Sequence, residues 1–463
     1  MSRITIEALI MAGLLHALSA QTLPNLFPFP NDSGVLETNN GGGGAIDLNG
    51  PFFQSLGTNG RSCGSCHRPA QGWSISAAEV RTRFELTQGM DPIFRTNDGS
   101  NCNHGIDTST VEARRKAYSL LIGKGLIRVE IGMPANAEFE VAGVLNPYGC
   151  GDPANLSLYR RPLPSTNLRF LSTLMWDGRE SSTQTGTQKI TFPSNPGDLF
   201  SNLAHQSLDA TNGHAQAATP LNPQLQAAIV QFEMALTTAQ AFDYRAGALN
   251  ANGAVGGPVQ IASGTMPEFF IGINDPLGGN PHDVPFTPVI FSLFDAWAND
   301  DPQSARARIL RGQTLFNSKP IQITGVAGLN DDLNLASIPG TCGTCHDSPN
   351  IGNHSVSAPL NIGVGDLDSP LDVSYLPVLI LRNKVTGEIK RTTDPGRALI
   401  TGLWKDVGRL KGPILRGLAS RAPYFHNGSA ASLNDVLEFY NQRFHINFTA
   451  QEKKDLIAFL SAL

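Results

Sequence analysis

The sequence predicts a mainly α protein made of two related units with long loops and insertions. Three observations predict it. Apolar residues recur at helical spacing in five segments, strand signal is thin, and one order of elements occurs twice. That order is an apolar stretch with phenylalanine, a loop and Cys-x-x-Cys-His. Glycine and proline number 47 and 31 of 463 residues, which accounts for the loops.

The opening "MSRITIEALIMAGLLHALSAQTLPN" has Arg3, an apolar run from Ala8 to Leu18, and small residues at Ala17, Ser19 and Ala20. Residues 1–20 therefore read as a signal peptide cleaved near Gln21 and predict export to the periplasm. Glu7 and His16 fit that pattern poorly, and a buried N-terminal helix is the alternative. No later apolar run reaches the roughly 18 residues a membrane span needs.

Residues 21–300 form the first unit. It opens on a Gly-rich loop at 39–50, followed by "RSCGSCHRPA" at 61–70. Val111, Ala117, Leu120 and Leu121 predict a helix over 110–125 that Gly125 stops. Leu225, Ile229, Phe232, Met234 and Leu236 predict another over 223–240. Residues 241–300, rich in Gly, Pro and Asn, read as an irregular connection. The second unit, 301–463, starts with a helix over 303–319 that leads to "TCGTCHDSPN" at 341–350. "LPVLILRN" (376–383) is the best strand. Two capped helices close the chain: Ser432 with Asp435, and Thr449 with Glu452, have capping-box spacing.

The net charge of -5 gives no reason to expect nucleic acid as a partner. Six cysteines divide into two Cys-x-x-Cys pairs plus Cys102 and Cys150. In an oxidising compartment these last two can be a disulfide, or they can be two buried thiols.

Each Cys-x-x-Cys-His could hold zinc, act as a redox dithiol or attach a haem. Paired zinc knuckles usually lie some 15–20 residues apart, whereas Cys66 and Cys342 are separated by most of the chain. A thioredoxin-like dithiol needs no following histidine. Two thiols three apart can hold the vinyl groups of a haem, with the adjacent histidine on the iron. Two covalently bound c-type haems follow, held by Cys63 and Cys66 and by Cys342 and Cys345, with His67 and His346 as iron ligands.

"LMWDGRE" (174–180) and "LRGLASRAPYFHNGSAASLNDVLEFYNQ" (415–442), together with both Cys-x-x-Cys-His motifs, resemble the bacterial dihaem cytochrome c peroxidase and MauG family. The likeness covers both haem motifs and most of 300–463, and is patchy over 80–300. It implies two cytochrome-c-like haem domains packed face to face. Electrons would enter at the C-terminal haem, and an oxidant would be reduced at the N-terminal one. Trp176 matches the tryptophan between the haems, and Arg416 an arginine near haem propionates. Tyr440, 14 residues after His426, stands where the peroxidases place a methionine ligand and MauG a tyrosine; His445 is a rival ligand. The resemblance further implies a small redox protein as donor (a cytochrome c or a cupredoxin), peroxide or dioxygen as oxidant, and a homodimer as one assembly.

The chain departs from the family in three places. The next histidine after His67 is His104, so the first haem has no close histidine to block it. Gln206 matches the family glutamine, but the catalytic glutamate ten residues on is Gln216, which cannot exchange a proton at neutral pH. His214 could take over, with Asp209 the nearest carboxylate and His205 another polar neighbour. Arg161 stands where an asparagine helps bind a calcium between the haems, so the calcium is expected to be absent or held by other groups such as Asn167. Peroxide reduction is the family default. A MauG-like protein-oxidising enzyme, an oxygenase resembling the dihaem rubber oxygenases, and a non-catalytic electron carrier are the alternatives.

Overall fold

The computed structural model describes residues 21–180, 196–263 and 268–463. The predicted signal peptide lies outside the described residues, as does most of the insertion after the WDGR segment. Among the described residues no helix is long and apolar enough to cross a membrane.

The mainly α expectation is corrected: the fold is mixed, with about 30% helix and 16% strand. The strands escaped notice because most are two to four residues long, too short to show an alternating pattern. The helices used below are α1 (Ala77–Thr87), α2 (Val111–Ala117), α3 (Ser119–Lys124), α4 (Pro196–Gly213), α5 (Pro223–Ala235), α6 (Ala305–Ser318), α7 (Leu433–Phe444) and α8 (Ala450–Ser461). The predicted 110–125 helix is broken into α2 and α3 at Tyr118. The predicted 223–240 helix ends at Ala235, and Leu236–Asp243 turns into a strand. Its β-branched Thr237 and Thr238 suit that change, and the strand pairs antiparallel with Gly34–Asn40. Both C-terminal capping boxes form as spaced. "LPVLILRN" supplies the strand Val378–Asn383, which pairs with Phe139–Leu145 from the first unit.

The largest core packs α6, α7 and α8 around Phe316, Leu437, Phe444, Leu456 and Phe459. Leu249, Phe291, Phe294 and Trp297, from the stretch read as an irregular connection, belong to this same core. A second cluster packs Phe52, Trp73, Ile229 and Leu236 under the first Cys-x-x-Cys-His. Cys102 and Cys150 are bonded to each other, which tethers two loop-rich stretches 48 residues apart.

Buried charge ties stretches that lie far apart in the chain. Arg160 donates to both carboxylate oxygens of Asp394, at 2.7 and 2.8 Å, and to Asp177 at 2.5 Å. Asp177 belongs to the WDGR segment and Asp394 to the second unit. All three side chains are at most 3% exposed.

Candidate haem-binding sites

The two Cys-x-x-Cys-His segments fold alike. Each cysteine pair spans one turn of 3-10 helix, with a capping box from Ser62 and Ser65 in one and from Thr341 and Thr344 in the other. Each histidine places Nδ1 on a carbonyl six residues on: His67 on Trp73 at 2.9 Å, His346 on Gly352 at 2.6 Å. A carbonyl can only accept, so Nδ1 carries the proton and Nε2 keeps its lone pair free for a metal. A phenylalanine edge supports each ring, Phe52 at 6.2 Å and Phe316 at 6.1 Å between centroids. The doubled order read in the sequence is thus a doubled local structure.

A cavity opens beside each segment. The first is lined by Cys63, Cys66 and His67, the second by Cys342, Cys345 and His346. Burial pushes His67 and His346 down to about 4, which keeps both imidazoles neutral. Burial pushes Cys63, Cys342 and Cys345 up to about 12, which keeps these free thiols protonated.

The charges around the cavities fit a ligand carrying carboxylates. Arg161, Lys411, Arg416 and Arg421 are buried, and none forms an ion pair with a described carboxylate; Arg161 and Lys411 line both cavities and Arg421 the second, whereas Arg416 lines neither. Burial brings them down to about 9, 8, 9 and 10 respectively. Nη1 and Nη2 of Arg416 have no hydrogen-bond partner. Buried cations without counter-ions are costly, and the propionates of two haems would supply the missing negative charge.

The residues do not fit a calcium ion at the Arg161 position. The Arg161 guanidinium itself donates to the carbonyls of Lys124 (2.9 Å), Ile75 (2.6 Å) and Arg421 (2.8 Å). A guanidinium cation thus fills this position. Asn167 does not replace it, because its side-chain amide pairs with the backbone of Thr238.

Trp176 lines both cavities. Its indole N–H donates to the Arg161 carbonyl at 2.8 Å, and its ring meets the edge of His426 at 6.1 Å. Tyr440 lines the second cavity, and its phenol has no hydrogen-bond partner among the described residues. Burial raises its pKa, which keeps the free phenol protonated. His445, the rival ligand, is the exposed C-cap of α7 and lies outside the cavity. His104 is also exposed and outside.

Gln206, on α4, and His214, just beyond its end, line the first cavity. Gln216, Asp209 and His205 do not; His205 pairs instead with Glu180 at 2.9 Å. The carboxylate that serves His214 is Asp98, whose Oδ2 lies 2.5 Å from Nδ1. Burial alone would raise Asp98, but hydrogen bonds and charge from His214 and Arg61 outweigh it and hold it low. Asp98 lies 116 residues from His214, in a loop with no motif, and no local pattern marks it.

Glu233 was also invisible in the sequence, where it reads as a polar member of α5. It lines the first cavity, is 5% exposed, and its Oε2 has no partner. Burial pushes it from 4.5 up to about 7. A carboxyl raised in the folded state favours folding at low pH. That contribution is complete below the unfolded value of 4.5 and is lost as pH rises through about 7. The loss is about 3 kcal/mol at the standard conversion. Urea unfolding of Glu233→Gln should match wild type near pH 4 and exceed it by about 3 kcal/mol at pH 8.

No family model matches the chain. Cytochrome-c peroxidase IdrP1 of Denitromonas iodatirespirans is 29% identical over 190 residues, 37% of this chain and 44% of that protein. Its counterpart in Pseudomonas sp. (strain SCT) is 28% identical over 190 residues, 37% and 43% of the two chains. The chain thus matches less than half the length of these relatives. Among solved structures, a MauG-like protein associated with microbial copper homeostasis covers 67% of this chain and 74% of its own, at 17% identity and a TM-score of 0.33. That likeness is too distant to argue from. Over these segments the chain is similar to the two cytochrome-c peroxidases, and the doubled Cys-x-x-Cys-His architecture agrees with a likeness to the bacterial dihaem cytochrome c peroxidase and MauG family.

Proposed function

We propose that the chain is an exported, periplasmic oxidoreductase that reduces peroxide in its N-terminal cavity. One haem would be held in each cavity, through thioether bonds to Cys63 and Cys66 in the first and to Cys342 and Cys345 in the second, with His67 and His346 as iron ligands. The observation that carries this reading is the unlike furnishing of two cavities that share Trp176. The C-terminal cavity offers Tyr440, whose unpartnered oxygen can close the second iron as a sixth ligand. The N-terminal cavity is lined instead by Gln206, Glu233, Met175 and the His214–Asp98 pair, and no tyrosine lines it among the described residues.

A haem held by His67 would supply the redox chemistry for peroxide reduction. The protein supplies the proton movements. Peroxide with two electrons and two protons gives two waters. His214 Nδ1 is held by Asp98, so Nε2 takes the proton from one peroxide oxygen and returns it to the other. The Gln206 amide orients the oxidant. A small redox protein donates electrons at the His346 side, and Trp176 carries them or packs the path between the sites.

The test is electron paramagnetic resonance of the ferric protein with a count of haem per chain. Two haems are expected, one six-coordinate and one open, with carbon monoxide binding to one iron after reduction. Tyr440→Phe should abolish one low-spin signal. Two fully blocked irons in both oxidation states would leave an electron carrier only.

The placement of Tyr440 in the second cavity also favours a MauG-like reading, in which the oxidising equivalents of peroxide act on another protein's side chains. Peroxide consumption without any reduced cytochrome or cupredoxin separates that reading from the first.

A further inference from the structure

Lys411 stands in the wall between the cavities and lines both. It is 5% exposed. Its backbone N–H donates to the Trp176 carbonyl at 2.8 Å, which fixes it beside the shared indole. Its ammonium has no ion pair or hydrogen bond among the described residues. The wall it shares offers it no anion: Arg161 is a cation, and Pro162, Leu163, Pro164 and Ile414 are apolar. Arg161 has committed its donors to main-chain carbonyls, whereas those of Lys411 are free. A buried ammonium in that position calls for carboxylates from whatever fills the cavities.

We propose that the Lys411 ammonium pairs with carboxylates of both bound haems and sets the reduction potentials of the two centres together. The inference rests on the dihaem reading above. A positive charge between two iron centres stabilises an added electron on either one. It also neutralises carboxylates whose charge opposes reduction. No atom is transferred; each iron gains one electron from the redox donor, and the ammonium shifts both equilibria in the same direction.

The experiment is spectropotentiometric titration of wild type, Lys411→Gln and Lys411→Arg, each with its haem count. With both haems bound, Lys411→Gln should weaken reduction of each centre about tenfold, a fall of about 59 mV in both potentials. Lys411→Arg should restore both. An unmoved potential at either centre of a fully loaded Lys411→Gln overturns the proposal. If Lys411→Gln fails to retain haem, full retention by Lys411→Arg supports a required cation, and no better retention overturns it. Fewer than two haems in wild type would defeat the dihaem reading itself, whatever Lys411 does.

Discussion

Replacing His214 with alanine is expected to slow peroxide consumption by roughly 10²–10⁴-fold while both haems stay bound. The range is the usual contribution of one positioned acid–base group. His214 lies outside both haem-attachment segments, so haem content and the spin state of the C-terminal iron should be unchanged. The loss should appear in kcat/KM, because peroxide is left without a group to move its proton. Asp98→Asn should give a smaller loss. The asparagine can still hold the ring, but it can present either its amide or its carbonyl to Nδ1, so the tautomer with Nε2 free is no longer enforced. Gln216→Glu is the useful control. Gln216 does not line the cavity, so putting back the family carboxylate at that position should not rescue His214→Ala. Equal activity of His214→Ala and wild type would remove the imidazole from the reaction.

The pattern of what the sequence could and could not show has a physical cause. The candidate haem-attachment segments were readable because their chemistry is local: two thiols and an imidazole must fall within five residues to meet one planar group. Tyr440 was readable because α7 fixes its distance from the APYFH segment. Asp98 and Glu233 were not, since each reaches the first cavity from a distant element and is common in its own context. Lys411 was hidden for the same reason. The mixed fold was missed because the strands are short and are stabilised by partners far along the chain, such as Gly34–Asn40 against Leu236–Asp243. Hydrophobic periodicity reports on long elements with one buried face, and few strands here qualify.

Arg160→Met is expected to destabilise the folded protein by about 3–5 kcal/mol, read as a fall in the denaturant midpoint with little change in slope. The loss comes less from the ion pair itself than from what stays behind. Asp177 and Asp394 would remain buried with the guanidinium gone, and Arg179, 2.8 Å from Asp177, serves only one of them. Asp394 would turn to His426, whose Nε2 has no partner and lies 3.8 Å away. Burial and neighbouring Arg160 now hold His426 neutral, with Asp394 opposing them; without Arg160 it should take up a proton. Burial by itself would raise both aspartates, but the Arg160 charge outweighs it and holds them low. Their contribution is therefore present above the ordinary value of 3.8 and is lost as pH falls below it, through the lowered folded values. The gap between Arg160→Met and wild type should accordingly be full at neutral pH and narrow in acid. Adding Asp394→Asn to Arg160→Met should recover part of the loss, because it removes one stranded charge. A double variant no more stable than the single one would mean that Arg160 acts through packing.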